Sequence, residues 1–146
     1  MNKPIQACSR KANWLDRYMA IPFEPKGRTF DGCDCWGLMC LLQRHECGVE
    51  LPHLLDDYDA PEVGDARLAD LVRRTSLQEW REVTIVNVQF GDGLVFRMMN
   101  EPIHIAFAIN ATQMVHTRKN VGVLVESFTA PQWASRLVGA YRYATG

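Results

Sequence analysis

The stretch that decides the fold is DGCDCWGLMC, residues 31–40. It passes from turn-forming residues into an apolar run, and it holds three of the chain's five cysteines. Leu38, Leu41, Leu42 and His45 fall at i, i+3, i+4 and i+7, so the spacing predicts a helix that starts just after Asp34. Asp34 has the side chain for an N-cap, since its carboxylate can accept from free backbone N–H groups. Gly48 stands after the last turn, where a left-handed closing residue is favoured.

The cysteines, Cys8, Cys33, Cys35, Cys40 and Cys47, are odd in number, so they cannot all pair within one chain. Their spacing does not fit zinc, whose knuckles use two to four intervening residues. Cys40 and Cys47 would lie ~10 Å apart along one helix. A redox pair is equally poorly matched by C-x-C. Cys40 reads as a packed small hydrophobe, and so do Cys8, Cys33 and Cys47. Cys35 differs by position. As the first helical residue it meets the positive end of the helix and its unpaired N–H groups, an environment expected to favour a thiolate and to bind a developing oxyanion.

Working outward, NWLDRYMAI (13–21) has helical spacing at Trp14, Leu15, Tyr18 and Met19, ended by Pro22 and Pro25. KGRTFDG (26–32) and the acidic stretch 52–64 read as loops, and ARLADLVRRTSLQEW (66–80) as an amphipathic helix. From Val83 the pattern becomes β-type. Strands are expected at 94–99, 103–109, 113–117, 121–127 and 137–143. Helices followed by an antiparallel meander indicate an α+β fold, and 146 residues favour a single domain over 1–146.

The composition is 47% hydrophobic and 23% charged with net charge −1, which fits a folded globule and gives no basic footprint for nucleic acid. No apolar run approaches the ~20 residues of a membrane helix. The N-terminal MNKPIQACSRKANWL lacks the apolar segment of a secretory signal, so the expectation is synthesis in a reducing cytoplasm.

A nucleophilic cysteine needs a base. Of the four histidines, His45 belongs to the helix stripe and His53 to the acidic loop. His104 and His116 fall in expected strands. Alternation in IHIAFAI sets His104 with Ala106 and Ala108 on one face, where small side chains would admit the start of the Cys35 helix. If 103–109 and 113–117 form a hairpin with an odd-numbered loop, for example three residues, His104 and His116 are expected to lie opposite on the same face, Cβ atoms ~5 Å apart and within imidazole hydrogen-bond reach. The residues alone thus support a Cys/His/His hydrolase.

At this point the chain resembles the NlpC/P60 cysteine peptidases. FDGCDCWGLMCLLQRHECGVELP is similar to their nucleophile block, FGDGLVF to the strand entry before the histidine strand, HIAFAINATQMVHT to the two-histidine hairpin, and NVGVLVES and LVGAYRY to the closing strands. The resemblance runs from about Tyr18 to Tyr143. It implies a papain-like fold, with N-terminal helices packed on an antiparallel sheet of about five strands. It also implies cleavage of peptidoglycan stem peptides at the D-Glu to diamino-acid bond, without metal or organic cofactor. Carried over by position, Cys35 is the nucleophile, His104 the general base and acid, and His116 the orienting third residue. Asp34, Phe23, Tyr18 and Trp36 are the candidates for oxyanion or substrate contacts. Many members have a tyrosine about twelve residues before the nucleophile; here that position is Phe23, without a hydroxyl, and Tyr18 is the possible substitute. The segment RMMNEPI before His104 is not placed by the resemblance and is a candidate flap or partner contact.

DCWGL, the short length and the lead-in IPFEPKGR resemble the phage-tail branch of that family. With no signal peptide and no second wall-binding domain in view, the expected setting is a virion tail tip acting at the periplasm and cell wall. The expected partners are the stem peptide and other tail-tip proteins, with neither nucleic acid nor membrane. Two rivals stand beside this reading: a structural tail-tip subunit with a silent site, and an amidase or acyltransferase acting on another substrate.

Overall fold

The computed structural model describes residues 12–53, 80–98 and 101–143. The N-terminal segment forms a single helical turn, α1 (Asp16–Met19), shorter than its spacing predicts. Only Tyr18 of that turn is buried, and Met19 is exposed. The expected loop 26–32 contains a small hairpin of β1 (Arg28–Thr29) and β2 (Gly32–Cys33).

The central helix α2 spans Cys35–Leu42, and all eight of its residues are buried. Asp34 caps it as expected, accepting from the Gly37 amide at 2.8 Å. The rod continues as a π-helical turn, Gln43–Cys47, closed by Gly48 at φ 70°. A helix apolar all round must be enclosed by other elements. The stripe read from the sequence is therefore part of a fully covered surface, and only beyond Leu42 does the rod reach solvent, where His45 is exposed.

The cover is a six-stranded antiparallel sheet ordered β3-β8-β4-β5-β6-β7. Its strands are β3 (Trp80–Val83), β4 (Gly93–Met98), β5 (Glu101–Ala108), β6 (Gln113–Arg118), β7 (Gly122–Ser127) and β8 (Leu137–Tyr143). A short helix, α3 (Pro131–Ala134), stands between β7 and β8. The sheet has one strand more than expected, because Trp80, read as the end of a helix, opens β3 against Tyr143. The rest of the expected helix 66–80, most of the expected loop 52–64, and Cys8 lie outside the described residues. Of RMMNEPI, residues 97–98 end β4 and residues 101–103 open β5, with Arg97 opposite Pro102 and a register shift after Phe96; residues 99 and 100 lie outside the described residues.

The two faces of the sheet carry separate cores. Ile105 and Phe107 of β5, Val115 of β6 and Val123 of β7 pack with α2. Ala106, Ala108 and Met114 pack with Phe96, Phe128 and Trp133. This corrects one expectation: α2 lies on the large-residue face of β5, and the alanine face receives Trp133. Bulky β-branched and aromatic side chains are what a wholly apolar helix needs for burial. The small residues instead leave room for an indole.

Candidate functional site

Cys35 sits at the first position of α2 because the chain turns sharply before it and is tied down on both sides. Asp34 accepts from the Lys26 amide (2.9 Å) and from Arg28 Nη1 (3.0 Å) as well as capping the helix. Arg28 Nε and Nη2 both donate to the His53 carbonyl, at 3.0 and 2.6 Å. Gly37 is required by packing, since a Cβ there would collide with the Gly27 carbonyl oxygen and press on Cys33. The sequence DCWG is thus a lock between the β1–β2 hairpin and the start of the helix.

Cys35 is 4% exposed. Burial pushes its thiol up to about 12, and the neighbouring Asp34 carboxylate adds to this; hydrogen bonds from the Ile105 and Trp36 backbone and the charge of Arg28 pull the other way. Cys33 and Cys40 are likewise raised to about 12, mainly by burial. The expectation of a lowered Cys35 pKa is therefore corrected. In this closed arrangement desolvation outweighs the helix terminus.

His104 and His116 are both fully buried, and His104 Nε2 lies 2.7 Å from His116 Nδ1. They are not directly opposite. The hairpin sets Phe107 against Val115 and Ala108 against Met114, with the four residues 109–112 joining β5 to β6. Counting on from these pairs makes the histidines diagonal neighbours on one face. The β5–β6 ladder stops at Phe107, so the strands part where the histidines stand. There the Ile105 backbone is turned to the Cys35 thiol.

No hydrogen bond joins Cys35 to His104 among the described residues. His104 Nδ1 is buried and without a partner among them. Burial holds the His104 pKa well below the usual imidazole range, with the neighbouring His116 and Arg118 lowering it further. His116 is also lowered by burial, against an opposing pull from Glu126.

Two residues that sequence reasoning missed complete this cluster. Glu126 Oε1 lies 2.8 Å from His116 Nε2 and accepts from Trp133 Nε1 at 3.0 Å. The Trp133 ring stacks on His104 at 5.6 Å and meets His116 edge-on at 5.0 Å. A signal for Glu126 was present. Met114 pairs with Glu126 and His116 with Leu124, so the alternation of β7 puts Glu126 on the histidine face. Trp133 gave none, since it arrives from a loop helix.

The remaining candidates are engaged elsewhere. The Tyr18 hydroxyl is held by Glu46 Oε2 at 2.6 Å. Trp36 is buried with its indole N–H on the Pro52 carbonyl at 2.9 Å. Asp34 is the cap and ion-pair partner described above. Phe23 is half-buried, its backbone bridging to Cys33 two residues before the thiol.

Comparison with known proteins supplies the family. The chain is 27% identical over 135 residues to the murein DD-endopeptidase MepS/murein LD-carboxypeptidase of Escherichia coli K12, covering 90% of this chain but 62% of that protein. An NlpC/P60 family protein from Bacillus cereus ATCC 10987 superimposes with a TM-score of 0.65 at 20% identity, over 91% of this chain and 39% of the other. The NlpC/p60 domain of the peptidoglycan hydrolase SagA does so with a TM-score of 0.57 at 19% identity, over 88% and 92%. The NlpC/P60 family model matches residues 20–142, nearly the whole α+β fold and every residue of the cluster just described, and on that match the chain belongs to the NlpC/P60 family.

Proposed function

We propose that this chain is a cysteine peptidase that hydrolyses peptidoglycan stem peptides. The observation that carries the reading is the His104–His116 hydrogen bond, with His104 Nδ1 left unpartnered and the Cys35 thiol held by the backbone of the next residue along β5, Ile105. In this reading Cys35 Sγ–H gives its proton to His104, and the sulfur adds to the peptide carbonyl. Collapse of the adduct expels the amine, which takes the proton from His104, and leaves an acyl-enzyme. His104 then activates water, which releases the acid and restores the thiol. His116 holds the His104 ring in register. Thiol and imidazole are not hydrogen-bonded at rest; such contacts commonly tighten only when substrate is bound.

The bond cleaved is read as D-Glu to diamino acid, from the resemblance of the nucleophile block and hairpin. A second reading is favoured by the Escherichia coli relative, a murein DD-endopeptidase and LD-carboxypeptidase. The chain spans 62% of that relative's length. The setting is read as a phage tail tip, from DCWGL and IPFEPKGR, with other tail proteins as partners.

Digestion of defined muropeptides, with products identified by mass spectrometry, tests the reading. The expected result is cleavage by wild type and none by Cys35→Ala. Release of a D-Glu-terminated fragment supports the first bond; separation of cross-linked dimers supports the second. A folded wild type that cuts no muropeptide would return the chain to a structural role, and turnover of other amides would make it an amidase. Mass spectrometry of purified tailed particles tests the setting.

A further inference from the structure

We propose that Glu126 is the positioning residue that sets the tautomers of both buried histidines, and so leaves His104 Nδ1 as the lone pair that receives the Cys35 proton. This rests on the peptidase reading above, and deepens it.

The argument follows the protons. A carboxylate can only accept. The 2.8 Å contact between Glu126 Oε1 and His116 Nε2 therefore places a proton on that nitrogen. The same oxygen accepts from Trp133 Nε1–H, a group that can only donate. A neutral imidazole has one N–H, so His116 Nδ1 is a lone pair. The 2.7 Å bond must then be donated by His104 Nε2–H. That leaves Nδ1 of His104 bare, and Nδ1 is the atom found buried without a partner.

Reversing the chain would put N–H on His104 Nδ1, and that ring could not take a proton from the thiol. Nothing in the histidine pair itself prevents the reversal, because either ring can donate across the 2.7 Å contact. Glu126 breaks the symmetry. Its side chain is 28% exposed while that of His116 is fully buried, so the polarity of an enclosed relay is set from its solvent end. Trp133 prevents both rings from turning, stacked on one and edge-on to the other.

Long-range 1H–15N NMR of histidine-labelled protein at pH 7.5 reads the tautomers directly. The expected wild-type spectrum shows His104 and His116 both protonated at Nε2. An Nδ1–H signal for His104 in wild type overturns the proposal without any variant. Glu126→Ala is expected to shift His104 to a mixture or to Nδ1–H, and to lower kcat at least tenfold with KM within about threefold. Glu126→Gln is expected to hold the wild-type tautomers, because Trp133 N–H keeps the amide oxygen in place, and to recover part of kcat. Unchanged tautomers and kcat in a folded Glu126→Ala would sink the proposal while leaving the peptidase reading intact. The opposite pattern, tautomers controlled by Glu126 in a chain that cuts no muropeptide, would keep the proposal and remove the peptidase.

Discussion

Arg28 Nη1 lies 3.0 Å from Asp34 Oδ1, and both side chains are almost fully buried, at 5% and 7% exposure. The pair stands directly before the Cys35 helix. It holds the turn that positions the thiol, since Asp34 is also the cap and Arg28 also holds the His53 carbonyl. Arg28→Ala leaves an enclosed carboxylate without its cation, a change that costs about 3–5 kcal/mol. Urea unfolding at pH 7 should show that loss. A change below about 1 kcal/mol would mean that the turn is held by the Lys26 amide and the helix amides alone.

Tyr18 was a candidate oxyanion donor, but its hydroxyl is committed to Glu46 at 2.6 Å. Tyr18→Phe should leave kcat/KM on a muropeptide within about twofold. It should cost about 1–3 kcal/mol in stability, since Glu46 loses a charge-assisted bond. A drop of a hundredfold in kcat with unchanged stability would reinstate Tyr18 at the oxyanion.

Cys33, Cys35 and Cys40 are each raised to about 12, chiefly by burial, from an ordinary value of 9.0. The folded state prefers the neutral thiols, while the unfolded chain loses those protons from about pH 9 upward. Their stabilisation is whole below pH 9 and is lost as pH rises toward 12. The urea midpoint should therefore fall across that window. At pH 8, iodoacetamide should label partly exposed Cys47 before any of the three. Fast labelling of Cys35 at pH 6 would show a preformed thiolate instead.

The histidines act at the other end of the scale. His104 and His116 are lowered from 6.5, first by burial, so the folded state keeps them neutral and the unfolded chain binds protons more readily. The histidines' contribution to stability should be constant above about pH 6.5 and lost as pH drops below it. The groups facing the pair are Glu126 from β7, which raises His116, and Arg118 from β6, which lowers both. Circular dichroism melts from pH 7.5 to 5 should show a falling Tm, with a shallower slope in His116→Gln. A flat Tm would place protonated histidine in the folded state.

Several features were legible in the chain because they depend on local spacing. The Asp34 cap, the start of α2 at Cys35, the Gly48 stop and the strands from Gly93 onward follow from short-range periodicity and turn chemistry. So did the shared face of His104 and His116, which strand parity alone dictates. The extra strand at Trp80 was not legible, because its pairing with Tyr143 lies 63 residues away in sequence. Likewise, the spacing at 13–21 marks a buried side without saying that the packing supports only one helical turn.

The amino-acid order by itself therefore determined which elements hold the candidate residues, since caps, turns and alternation act over a few positions. Tertiary structure alone decided how those residues are wired. It set α2 on the bulky face of β5, brought Trp133 from a loop onto the histidines, and committed Tyr18 to Glu46. It also raised the Cys35 thiol when the position in the helix argued for lowering it. Each of these turns on desolvation or on a hydrogen bond between distant segments, and both exist only once the chain has folded around them.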